Sequence, residues 1–322
     1  MSECLNRRMT GHLIEILNEW LSEYRAIFIH SADEPDMVIK PDFHKRHGIS
    51  AARRMPFYLP NTNIIMKEPI FVAFATQKGG AGKSTLTTLV ASYLHYVVGK
   101  KVLALDCDAR QHTMIEYRNK DLLMLRENPA YERRLAKFMT SFGGDPYGII
   151  KCSPSDAIKL ANEEIAKGYE ADYVFFDITG TVNDNDLVSL LANMDYLFVP
   201  VTPETGDLKS SLSFANNVNE TMLFKEGMRI KGLHLVWNKV QPKDRSNLVE
   251  IINRYMSTLC LEALDTVLPL SVKYTKDGST SGRGGIFRST FLPPDRSLLR
   301  NSCLPELVDE ILGITNPENY GG

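Results

Sequence analysis

The chain has 322 residues, of which 43% are hydrophobic and 24% charged, and its formal net charge is −2. This is ordinary globular usage, which excludes a disordered or fibrous polymer, and the length supplies a core for one large domain with an appendage or for two modest ones. The five cysteines, Cys4, Cys107, Cys152, Cys260 and Cys303, are scattered without CxxC or His-paired spacing. They read as reduced thiols of a cytoplasmic protein, and no apolar run approaches the roughly 20 residues of a membrane span.

Residues 1–66 form an N-terminal extension, helical or disordered, ahead of a domain spanning 67–322. Leu13, Ile16, Leu17, Trp20, Leu21, Tyr24 and Phe28 recur at helical spacing, which predicts one amphipathic helix near 10–29. The basic stretch from Lys40 to Arg54 can be a flexible linker or a DNA-binding arm. Met66 stands just before the first convincing strand, so the native protein can also begin there, with 1–65 an upstream extension.

From residue 70 onward, short β-rich runs alternate with longer helical ones, which predicts an α/β fold with a mostly parallel, doubly wound sheet. The first strand, Ile70–Thr76, runs into Gln77-Lys78-Gly79-Gly80-Ala81-Gly82-Lys83-Ser84-Thr85 and then a helix marked by Leu86, Leu89, Val90, Tyr93 and Leu94. A strand, a glycine-rich turn and a helix start, in that order, make a phosphate-binding loop. Glycines let backbone N–H groups close around phosphate oxygens, and the helix adds the positive end of its dipole. Lys83 is placed for the β and γ phosphates, Ser84 for magnesium and Thr85 for the α phosphate. Gly99 suits a left-handed helix end.

The second strand, Val102–Asp106, leads into Cys107-Asp108-Ala109-Arg110-Gln111. Carboxylates at a strand's carboxyl end suit a phosphate or metal site, although Asp106 can equally cap the helix that follows. Gly148–Cys152 is the third strand. The fourth, Tyr173–Asp177, is apolar throughout and ends in an aspartate fit to hold magnesium through water, with Gly180 able to offer an N–H to a γ phosphate.

Further strands are predicted at Tyr196–Val201, Leu233–Trp237 and Thr266–Leu268. A helix over Ser246–Leu261 turns Leu248, Val249, Ile252, Tyr255, Met256 and Leu259 inward. Gly278–Gly285 reads as a mobile loop. Residues 225–300 carry 13 Lys and Arg against 7 Asp and Glu, among them Lys225, Lys231, Lys243, Arg245, Lys273, Lys276, Arg283 and Arg288. Such a half can attract a polyanion or simply form a solvated face. The segment Leu304–Leu312 is short and acidic, unlike a basic membrane-binding helix.

The loop departs from the standard Walker pattern, since Gln77 stands where the first glycine belongs. Its form, KGGxGK[ST], resembles the deviant Walker A motif of the ParA/MinD family of ATPases. That resemblance implies a P-loop NTPase fold over about residues 67–315, with ATP and Mg2+ as cofactors. Gly79, Gly80, Ala81, Gly82, Lys83, Ser84 and Thr85 would then cradle the nucleotide, and Lys78 would reach the partner's phosphates across an ATP-dependent homodimer. Asp108 would orient the attacking water, while Ser84, Asp106 and Asp177 would serve the metal. Asn238 and Pro269 would lie near adenine. Ala109 replaces the family's usual proline, and no proline follows Asp177, which leaves the backbone path after Asp177 open. The wording around Lys78, Val90–Tyr96 and Asp106–Asp108 is most similar to the ParA-type proteins called TraA of Bacteroides conjugative elements. The resemblance implies partition or transfer of a mobile element, with nonspecific DNA and a stimulating protein as partners and no membrane. The competing readings are a MinD-type membrane-associated positioning ATPase and a regulatory ATPase acting through protein partners.

Overall fold

The computed structural model describes residues 68–108, 111–178, 185–223, 225–244, 248–278 and 285–320. The helix expected near 10–29, the basic stretch 40–54, Ala109, Gly180 and most of the 278–285 loop lie outside them.

Seven strands make one sheet: β1 Ile70–Phe74, β2 Val102–Asp106, β3 Gly148–Lys151, β4 Tyr173–Asp177, β5 Tyr196–Val201, β6 Gly232–Val240 and β7 Glu262–Pro269. Their spatial order is β3-β2-β4-β1-β5-β6-β7 and every pairing is parallel. The expected mostly parallel sheet is thus parallel throughout. β1, β2 and β4 are buried along their whole length, as continuous apolar runs covered on both faces must be.

The period of two along each strand decides which layer a residue serves. Phe71 and Ala73 face one core, shared with α4 Ala157–Ala166, α5 Asn185–Ala192, α6 Thr205–Thr221 and α7 Leu248–Thr258. Ile70, Val72 and Phe74 face the other, shared with α1 Lys83–Tyr93, α2 Thr113–Glu127 and α8 Leu304–Thr315. Trp237, fully buried in the first core, donates its indole N–H to Asn253 at 2.8 Å and so fixes α7 against β6. Val249 and Met256 turn inward as expected, but Tyr255 is 53% exposed. Its position is one turn past Ile251, itself 61% exposed, so the apolar stripe of α7 is narrower than its sequence suggests.

α1 passes through a π-helical turn, Leu94–Val98, and ends at Gly99 with φ +79°. A left-handed terminus of this kind costs glycine nothing. α3, Pro129–Phe142, folds back along α2 from an Asn128 cap that accepts the N–H groups of Ala130 and Tyr131. This hairpin and the segment after β7 share a third apolar cluster of Leu122, Leu125, Tyr131, Leu135, Ile286, Phe291 and Leu292. Beneath it, buried Asp121 accepts from the N–H and hydroxyl of Thr290 at 2.6 and 2.8 Å, and buried Arg118 donates to the same hydroxyl at 2.8 Å. The post-β7 segment is thereby tied to α2, the helix that starts a few residues after Asp108.

Candidate nucleotide site

β1 delivers the glycine-rich turn to the carboxyl edge of the sheet. Gly80 and Gly82 sit at φ +79° and +95°. At Gly82 any side chain would strain the backbone and displace the Asn238 amide nitrogen, which lies 2.7 Å from where a Cβ would stand. The first helical bond of α1 runs from Leu86 N–H to the Gly82 carbonyl at 2.9 Å, and among the described residues the amides of 79–85 find no backbone acceptor. Unspent N–H groups at the start of an 11-residue helix make a cradle for anionic oxygens.

Side chains brace the carbonyls of the same loop. Lys83 Nζ donates to Lys78 O at 3.1 Å, Lys239 Nζ to Gly80 O at 2.6 Å and Asn238 Nδ2 to Ala81 O at 2.9 Å. A trans peptide points its C=O and N–H in opposite directions. Holding the carbonyls of Gly80 and Ala81 on β6 therefore turns the N–H groups of Ala81 and Gly82 away from it. Asn238 is buried and also accepts the N–H of Lys239 at 2.9 Å.

The loop floors a cavity of about 870 Å³, lined among others by Gln77, Lys83, Ser84, Thr85, Asp108 and Asn238. Its far wall brings Leu270 after β7 together with residues the sequence did not single out: Thr113 and Tyr117 of α2, and Val272 and Tyr274. The volume suits a nucleotide-sized ligand. Pro269 closes β7 but does not line the cavity, which takes Leu270 instead, and the buried Ala81 does not line it. Lys78 does not line it either. Its ammonium lies 3.0 Å from Asp207 in the first turn of α6.

Register puts Asp106 and Asp177 side by side at the ends of β2 and β4. Both are fully buried. Burial, reinforced by the Asp106 charge, raises the Asp177 carboxyl to about 8, and burial raises Asp106 to about 6. Burial also lowers the Lys83 ammonium, against the pull of Asp177 and Asp108. Asp106 accepts the Ile115 N–H at 2.9 Å, so it does cap α2. Neither oxygen of Asp177 has a partner of full hydrogen-bond geometry, although the Ser84 hydroxyl stands close enough to lower its carboxyl. A buried carboxylate with neither oxygen fully hydrogen-bonded fits a divalent cation. Among the described residues no three His, Cys, Asp or Glu side chains converge to hold a metal by themselves. Asp177 with Ser84 fits the case in which phosphate and water complete the shell, as is usual for magnesium. Asp108 accepts the Gln111 N–H at 3.2 Å and stands at the cavity wall.

Residues 72–281 match the family described as the CobQ/CobB/MinD/ParA nucleotide binding domain. The chain belongs to this family. Its fold is the P-loop ParA/MinD-like fold. Solved structures similar to it include the Pyrococcus furiosus cell division ATPase MinD, with 14% identity over 77% of this chain and 100% of that one, TM-score 0.48. Another is pNOB8 ParA bound to nonspecific DNA, with 18% identity over 78% and 99%, TM-score 0.47. A third is a plasmid partition protein of Borrelia burgdorferi bound to AMPPNP, with 18% identity over 68% and 93%, TM-score 0.43. No curated protein sequence matches the chain.

The basic carboxyl-terminal half is less available than its composition implies. Arg288 is buried, its guanidinium 3.8 Å from the Tyr117 ring centre and 3.2 Å from Asp277, so it is not a surface cation. Lys231 pairs with buried Asp195 at 2.9 Å. Lys225 and Lys243 are exposed, while Arg245 and Arg283 lie outside the described residues. No helix among the described residues is long and apolar enough to cross a membrane.

Proposed function

We propose that this ParA/MinD-family chain is an ATP-dependent dimerisation switch that hydrolyses ATP slowly. The observation that carries the reading is the division of labour between two lysines five residues apart. Lys83 faces the cavity, while Lys78 turns out of it to the rim at Asp207. A cation beside a phosphate loop that does not serve its own cavity is placed to serve another copy's nucleotide.

The reaction is attack of water on the γ phosphorus, releasing ADP, phosphate and a proton. Lys83 and the amides of 79–85 bind and neutralise the phosphate oxygens, and Asp108 orients the water from the cavity wall. A magnesium ion held by Ser84 and Asp177 would supply further charge neutralisation. Loss of the γ phosphate would release the segments after Asp108 and Asp177 and dissolve the dimer.

The setting we infer is DNA partitioning, or maintenance or transfer of a conjugative element as in the TraA-like resemblance. The dimer would carry exposed basic side chains, including Lys225 and Lys243, to nonspecific DNA, with a protein partner stimulating hydrolysis. Against the membrane-positioning alternative, α8 packs Leu304, Leu307, Val308, Ile311 and Leu312 into the core and offers no free apolar face. The test compares Lys78→Ala with Lys83→Ala by ATP binding, light-scattering mass and retention on plain duplex DNA. Lys83→Ala should lose nucleotide, and Lys78→Ala should bind it and stay monomeric. A Lys78→Ala protein that dimerises with ATP, or DNA retention indifferent to ATP and salt, would sink the reading.

A further inference from the structure

Lys239 is a third lysine at the phosphate loop, and its geometry is unusual. It sits at φ +57°, a left-handed conformation that lysine adopts rarely. The pairing of β6 with β7 is irregular here, slipping between Trp237 and Val240. An irregularity of this kind re-aims side chains at a strand end. The strained residue is held from three sides. Asn238 Oδ1 accepts its N–H at 2.9 Å, Val240 O accepts the Leu270 N–H at 2.9 Å, and its own ammonium reaches Gly80 O at 2.6 Å. Side chain and strain therefore share one purpose. Without the left-handed turn, the alternation of the strand would carry residue 239 to the face opposite Asn238.

We infer that Lys239 is a positioning residue for polyphosphate binding, an inference that rests on the nucleotide-switch reading of the same site. Through the Gly80 carbonyl it fixes the 80–81 peptide, so that the Ala81 N–H is presented away from β6 before any nucleotide arrives. Its exposed position on the cavity lining also leaves the ammonium next to the incoming phosphates. Backbone strain held in place at such a position is the signature of a functional constraint.

The experiment uses the full chain, mant-ATP as the binding probe and thermal unfolding without nucleotide. Lys239→Gly tolerates the left-handed backbone and removes the amine, whereas Lys239→Arg keeps a cationic donor. Lys239→Gly is expected to raise the mant-ATP Kd about tenfold while its melting temperature stays level or rises, because glycine relieves the strain. Lys239→Arg should stay within about threefold of the wild-type Kd. The inference is overturned if Lys239→Gly binds like wild type, if its affinity and melting temperature fall together, or if arginine does no better than glycine. Wild-type protein that fails to bind mant-ATP would instead refute the nucleotide reading, so the two failures are distinguishable.

Discussion

Lys78 and Asp207 form an ion pair of 3.0 Å that ties the loop after β1 to the first turn of α6, with Lys78 49% exposed and Asp207 14%. Any role of Lys78 outside its own chain requires this contact to open first. A surface pair of this kind contributes at most about 1 kcal/mol. Asp207→Asn should therefore lower the ATP concentration needed for half-maximal dimerisation by up to about fivefold. Light scattering across an ATP titration measures it, and the difference should vanish in high salt.

Asp177 supplies a prediction with a definite sign. Its folded-state carboxyl is raised to about 8 from an ordinary 3.8, so the fold binds a proton that the unfolded chain releases. The stability from that proton is full below pH 4 and is lost as pH rises toward 8. Without divalent cation, Asp177→Asn should melt higher than wild type at pH 8 and show little difference at pH 4. Magnesium with ATP should stabilise wild type increasingly from pH 6 to 8 and leave the variant unmoved. Differential scanning calorimetry at the two pH values, with and without magnesium-ATP, decides it.

Gly82 should tolerate no replacement. Its φ of +95° and the 2.7 Å approach of Asn238 act together. Gly82→Ala must displace the amide that holds the Ala81 carbonyl, at a cost on the order of 1–3 kcal/mol for the strained backbone. Urea unfolding should show that loss, and mant-ATP fluorescence should show binding abolished. An alanine variant with full affinity would refute the bracing geometry.

The buried polar clasp under the post-β7 segment predicts a purely structural loss. Asp121→Ala removes the acceptor shared by the Ser289 hydroxyl, Thr290 N–H and Thr290 hydroxyl, and leaves Arg118 buried beside it. Breaking one side of a buried charged network costs about 3–5 kcal/mol. Chemical denaturation should register that fall.

Much of the sheet was legible because its signals are local. Apolar runs bounded by turn residues marked all seven strands, and β2, β4 and β5 begin and end where expected. β6 and β7 run several residues longer than their apolar cores, since strand length there is set by partners. Tyr255 faces solvent despite its helical spacing, because spacing tells which residues share a face but not how wide a face the neighbours cover. Arg288 counted as a surface cation in the composition, and only packing against Tyr117 and Asp277 removed it.

By itself, the sequence determined the family, the glycine-rich turn between a strand and a helix, and the placing of Asp106, Asp108 and Asp177 at or just past strand ends. Each depends on a strand, a turn and a helix start adjacent in the chain, and backbone conformational preferences act at that range. Tertiary structure alone decided what surrounds the loop. Asn238 was expected only beside the base, and its hold on the Ala81 carbonyl is new; it and Lys239 stand more than 150 residues away, Asp207 more than 120, and they meet the loop because the parallel sheet gathers the carboxyl ends of its strands at one edge. Tertiary structure also decided that Asp177 is buried with neither oxygen fully hydrogen-bonded. The physical reason is the same throughout: spacing encodes which groups lie on one element, whereas burial and partnership depend on elements that only the folded sheet brings together.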